Sequence, residues 1–166
     1  MKRNIFCLLL MVAMVCVSCN KEVKKASGDY SFKMSGKVDF TDAEGNTAFI
    51  FYSERGQMNI LADKKGNKGD IIVTFNTMNG SNYSCTGKIK GDSIFFDSHE
   101  YFTRFSTADT ALNSLQIGKL YRITASGKGI INDNMIIAEE SWTGVREDGE
   151  GTFMKAKKIS VLAEKN

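Results

Sequence analysis

Tyr30-Ser31-Phe32-Lys33-Met34-Ser35-Gly36-Lys37-Val38-Asp39-Phe40 is the stretch that decides the fold. Tyr30, Phe32, Met34, Gly36, Val38 and Phe40 share one parity, and Ser31, Lys33, Ser35, Lys37 and Asp39 hold the other. Successive side chains of an extended chain point to opposite faces. The alternation therefore describes a strand with one face in a core and one in water.

The same period continues outward. Residues 42–46 supply a turn, and residues 47–53 are dense in aromatic and β-branched side chains. Glu54-Arg55-Gly56 predicts a turn into a further strand over 57–62. A polar loop over 63–70 precedes a strand over 71–77, and Asn79-Gly80 marks a hairpin. Tyr83, Cys85, Gly87 and Ile89 alternate again, followed by a strand over 93–97. In the last third, Tyr121, Ile123 and Ala125 share a parity before Gly127 and Gly129, glycines of the kind that mark bends or bulges. Residues 132–134 turn into a strand over 135–143, and residues 147–151 turn into a final strand over 152–163. Between them, 98–118 is the exception. Ala108, Ala111, Leu112 and Leu115 have helical spacing, with Thr107 as N-cap and Gly118 as stop. The pattern predicts an all-β antiparallel up-and-down barrel of eight or nine strands over 30–166, with one short helix.

The chain has 166 residues with 42% apolar and 25% charged side chains, ordinary globular usage for one domain. About 150 residues bury enough surface to be stable without a disulfide or metal. The formal charge of +3 includes Lys2 and Arg3, so from residue 19 onward 20 basic residues face 19 acidic ones, a net charge of about +1. A nucleic-acid partner, which needs a clustered basic excess, is excluded. One His and scattered Cys residues likewise exclude zinc frameworks.

The N-terminus reads as an export signal over 1–18. Lys2 and Arg3 precede an apolar run over 5–17. Thirteen residues rise about 20 Å as a helix, too short for a hydrocarbon core of about 30 Å. Cys16-Val17-Ser18-Cys19 resembles a bacterial lipobox, with Cys16 where Leu is usual and Cys19 as the residue to be acylated. Plain signal cleavage with Cys19 unmodified is the simpler alternative. Acyl chains supply about 0.8 kcal/mol per buried methylene, enough together for stable anchoring. The polar residues 19–29 read as a flexible, lipidated tether. Asn20 stands where an inner-membrane-retained lipoprotein typically has Asp, so the expected location is the outer membrane, periplasmic or surface-exposed. With Cys7 and Cys16 removed and Cys19 acylated, Cys85 alone remains, read as a buried and inert thiol.

Lipobox, strand meander and a terminal block together resemble the calycin-like (lipocalin-like) β-barrel lipoproteins of Gram-negative bacteria. That block comprises Ala125-Ser126-Gly127-Lys128-Gly129-Ile130, Ser141-Trp142-Thr143-Gly144, Gly149-Glu150-Gly151-Thr152-Phe153 and the Lys-rich strand over 155–158. The resemblance covers about residues 30–163. The Gly-x-Trp of true lipocalins is absent near the first strand, since Trp142 is the only Trp. The resemblance implies a barrel in the envelope, with no assigned reaction and no functional residue.

Candidate chemistry is sparse. Asp97-Ser98-His99-Glu100 contains acid, nucleophile and base, yet neighbours on a strand diverge, so His99 reads as a solvated turn residue. Asp63, Asn67 and Asp70, and Glu147, Asp148 and Glu150, are oxygen-rich loops whose spacing fits turn chemistry better than Ca²⁺ binding. Lys155, Lys157, Lys158 and Lys165 read as a solvated strand face and a blunted sheet edge. Glu140 shares parity with Ile136, Ala138 and Trp142. On an inner face it would orient a ligand, whereas a bulge would turn it outward, and the outward orientation is the one the sequence favours. Phe32, Tyr121 and Trp142 join Glu140 as candidate cavity walls, unless they fill a solid core. No catalytic constellation, cofactor or metal motif emerges. The expected function is non-catalytic binding of a small apolar or amphipathic ligand, with a protein-interaction or inhibitor-like module acting through its loops as the alternative.

Overall fold

In a computed structural model, residues 21–105, 118–149 and 151–166 are described. Eight strands follow one another: β1 (Gly28–Thr41), β2 (Thr47–Ala62), β3 (Asp70–Thr77), β4 (Asn82–Lys90), β5 (Ser93–Arg104), β6 (Leu120–Asn132), β7 (Met135–Arg146) and β8 (Phe153–Lys165). Each pairs antiparallel with its sequence neighbour, and β8 returns to β1, so the sheet is a closed barrel. The barrel predicted from the period-two pattern is the barrel observed. Closure also removes the edge assigned to the lysines of β8, which pairs with β7 on one side and β1 on the other. The predicted helix near 107–118, the signal over 1–18 and Cys19 lie outside the described residues, apart from Gly118 itself.

Alternation sorts the side chains as the sequence requires. Tyr30, Phe32, Met34, Val38 and Phe40 of β1 are buried, and Ser31, Lys33, Lys37 and Asp39 are exposed. Each large apolar side chain withdrawn from water contributes about 1.5–3 kcal/mol, and the eight inward faces together make one core.

Three local expectations are corrected. Glu54-Arg55-Gly56 is not a turn but the middle of β2. Inward parity runs unbroken through Ile50, Tyr52, Glu54, Met58 and Ile60, and Glu54 closes a local hydrogen bond, its Oε1 accepting from the Arg55 amide at 2.9 Å. Gly56 serves close packing there: a Cβ on it would fall 2.1 Å from the Asn76 carbonyl oxygen. The strand starting at Ser93 does not stop at 97 but reaches Arg104. Within the polar segment expected to act as a tether, residues 21–26 form a short helix, and Val23 and Ala26 are buried in the core. That helix sits on one end of the barrel. Glu22 accepts a hydrogen bond from the Gly91 amide at 3.2 Å, and Lys165 Nζ donates to the carbonyls of Lys25 and Ser27.

Candidate functional site

Two β-bulges aim the polar groups inside the barrel. In β5, Phe96 faces Gly127 and His99 faces Ala125, so Asp97-Ser98 holds one residue more than its partner strand. Both are exposed, and inward parity shifts from Ile94 and Phe96 to His99, Tyr101 and Thr103. His99 is consequently an interior residue, 9% exposed, rather than a solvated turn. The second bulge is Lys157-Lys158 in β8, seen from both β1 and β7. Because the extra residue belongs to β8, β7 keeps its alternation. Glu140 therefore points inward and is 1% exposed, contrary to the outward orientation favoured by the sequence.

Small residues on β6 make the room. Ala125 lies in register between His99 and Trp142, and Gly127 between Phe96 and Glu140. A Cβ at Gly127 would stand 2.7 Å from Glu140 Cγ and 3.2 Å from Phe96 Cδ2, so the glutamate crosses the space a side chain would fill. Trp142 Nε1 donates to Glu140 Oε2 at 2.9 Å. His99 Nδ1 lies 2.9 Å from the Asp97 carbonyl oxygen. Glu140 Oε1 and His99 Nε2 are buried without hydrogen-bond partners among the described residues. Such orphaned atoms cost about 1–3 kcal/mol each, which a folded protein rarely tolerates without a use.

Aromatic rings enclose the pair. Tyr83 and Tyr101 stack at 4.0 Å between centroids, and Tyr83 and His99 stack at 5.5 Å. Trp142 meets Tyr52 and Tyr101 edge-on at 5.1 and 6.0 Å. Burial raises the Glu140 carboxyl above its ordinary value, against a smaller lowering from the Trp142 hydrogen bond and from the His99 charge. Burial, followed by the Glu140 and Asp97 charges, pushes the Cys85 thiol up to about 12, the state of an inert thiol.

The wall beside this site is unusual. The β4–β5 register runs from Gly87↔Phe96 to Lys90↔Ser93, so Tyr83 to Thr86 have no β5 register partner among the described residues. Side chains close the seam instead: Tyr83 on Tyr101, Thr86 Oγ1 to Asp97 Oδ2 at 2.7 Å, and Ser81 Oγ to Thr103 Oγ1 at 3.1 Å. A recess of about 510 Å³ opens here and reaches Tyr83 and Tyr101. A wider groove of about 620 Å³ crosses the outer face of β5 to β1, past Glu100, Arg122, Thr143 and Lys155.

Of the four predicted wall residues, Glu140 and Trp142 come together. Phe32 packs edge-on against Phe75, and Tyr121 against Phe40 and Phe105, in other parts of the core. Tyr52, Tyr83, Tyr101 and His99 were missed. For His99 and Tyr101 the signal is the change of apolar parity between Phe96 and Tyr101, which requires an inserted residue; Tyr52 and Tyr83 join them only through closure of the sheet. Among the described residues of the oxygen-rich loops, turn and ion-pair chemistry engages the carboxylates, Asp63 accepting from the Lys65 amide, while Glu150 lies outside the described residues. Asp70 accepts from the Asn67 amide and pairs with Lys88, Glu147 pairs with Arg122, and Asp148 pairs with Arg146 and Lys119.

Comparison with known proteins returns no matching family model, no matching curated protein and no matching solved structure.

Proposed function

We propose that this chain is a lipid-anchored envelope protein, acylated at Cys19 and held at the outer membrane, whose barrel binds a small apolar or amphipathic ligand without transforming it. One observation carries the binding half: two buried polar atoms without partners among the described residues, Glu140 Oε1 and His99 Nε2, set among Tyr52, Tyr83, Tyr101 and Trp142. Apolar walls with one or two convergent polar groups are the usual make-up of a small-molecule site. The seam recess provides the approach, with the Tyr83–Tyr101 stack as its inner wall. The anchoring half rests on the Cys16-Val17-Ser18-Cys19 motif.

Native mass spectrometry of the protein extracted from envelopes tests both halves. The expected spectrum contains an acylated chain and a co-purifying small molecule, the latter reduced in Trp142→Phe. A chain of unmodified mass would remove the anchor, and an empty barrel that no apolar probe enters would remove the carrier.

A docking module for another protein is the second reading, favoured by one feature of the outer surface. Ile130, Ile137 and Leu162 lie in one cross-strand row on β6, β7 and β8 and are 52%, 44% and 48% exposed. A stoichiometric protein in the same spectrum, lost on Ile137→Lys, would favour it over the carrier.

A further inference from the structure

Hydrogen-bond bookkeeping at the Glu140 site specifies the ligand's polar end. Trp142 Nε1–H can only donate, so Glu140 Oε2 is engaged as an acceptor. The Asp97 carbonyl can only accept, so His99 Nδ1 carries a hydrogen. What remains is Glu140 Oε1 and His99 Nε2, both buried and unpartnered among the described residues. In the uncharged pair, the carboxyl hydrogen belongs on Oε1 and Nε2 offers a lone pair, giving one donor and one acceptor. Moving that proton from Glu140 to His99 exchanges the two roles and leaves the inventory unchanged. The two groups are near enough for the His99 charge to act on the Glu140 carboxyl, and β6 places only Ala125 and Gly127 between their strands.

Building on the carrier reading, we infer that the Glu140–His99 pair receives an uncharged group that accepts and donates one hydrogen bond at once, a hydroxyl in the simplest case, carried on an apolar body that packs against Tyr52, Tyr83, Tyr101 and Trp142. With a single proton shared by the pair, an ammonium, which brings donors only, and a carboxylate, which brings acceptors only, each leave one of the two protein atoms unsatisfied. An ether satisfies the donor alone. Sites built to hydrogen-bond a hydroxyl discriminate strongly against analogues lacking it, because the buried partners are then stranded.

Trp142 is the only tryptophan, so its fluorescence reports this site directly. Titration of the folded protein with octan-1-ol, methyl octyl ether and octylamine is the test, followed by isothermal calorimetry. The expected order places the alcohol about tenfold or more ahead of the ether and the amine. Glu140→Gln keeps that preference, because the Gln carbonyl accepts from Trp142 and its amide still donates. His99→Phe erases it, leaving alcohol and ether alike, because only the Glu140 donor then remains; circular dichroism checks that both variants fold. Equal affinity for alcohol and ether in the unmodified protein would overturn the hydroxyl assignment while leaving a carrier of apolar molecules. Preference for the amine, lost in Glu140→Gln, would overturn it in favour of an ionic site. Absence of binding by all three would overturn the carrier reading as well, and assign the two atoms to an internal water.

Discussion

The β1–β2 wall and the β4–β5 seam are fastened differently. The first is a continuous backbone ladder from Gly28↔Ile60 to Thr41↔Thr47. In the second, the ladder extends from Gly87↔Phe96 to Lys90↔Ser93, and beyond it ring stacking and hydroxyl contacts take over. A backbone ladder is broken only where a side chain forces its strands apart, whereas a side-chain closure is lost with any of the side chains that make it. The part of the barrel open to change by mutation is thus the part that stands in front of Glu140 and His99.

The largest effect belongs to the ladder side. Gly56→Val, in β2, drives a side chain into the Asn76 carbonyl and the Thr77 backbone of β3, breaking the ladder on the other side of β2, at a cost of about 3 kcal/mol in urea unfolding. A loss below about 1 kcal/mol would show that this wall yields as easily as the seam. Next comes Tyr83→Ala, which removes a ring stacked on Phe75, His99 and Tyr101, for about 2 kcal/mol. Its sharper signature is kinetic: Cys85 on the same strand, inert in the native barrel, should be alkylated at least about tenfold faster, since thiolate reactivity follows exposure. Unchanged labelling alongside lost stability would mean the stack supports the core without closing the seam.

Glu140→Gln should have a smaller effect of opposite sign. The unfolded chain releases this proton near 4.5 and the folded chain releases it at a higher pH. Stability of the unmodified protein therefore declines as pH rises from 4.5 through the raised folded value, and the Gln variant escapes that decline. Thermal unfolding at pH 4 and pH 8 should show a gain at pH 8 that shrinks towards pH 4. The least effect is expected from Thr86→Val, which deletes one exposed hydroxyl contact to Asp97 for about 0.5 kcal/mol. A larger loss would mark that contact as the main clasp of the seam.

How much of this could be read in the sequence varies with the kind of information. Alternation is a local property, so β1 was legible residue by residue, and the number and order of strands followed. The Glu54-Arg55-Gly56 segment misled because its composition is that of a turn, while its role is set by the neighbouring strands packed against Gly56. Glu140 was placed on the correct strand and alongside Trp142, but its direction depended on which strand carries the bulge, a fact held in the pairing of β7 with β8. In the sequence His99 has the surroundings of a solvated residue, because Asp97 and Ser98 are polar. Those two residues are the bulge that turns it inward. The ring cluster spans β2, β4, β5 and β7 and is assembled only by closure of the sheet.

The short helix over 21–26 changes what an N-terminal acyl group would do. Cys19 lies two positions before Lys21 in the sequence, and two backbone steps span no more than about 7 Å. A barrel so mounted stands on a stub rather than swinging on a rope, with the Gly91 turn and the Lys165 end facing the bilayer. The seam recess, which includes Asn79 to Ser81 at the opposite rim, would then look away from the lipid, so cargo would arrive from the aqueous side.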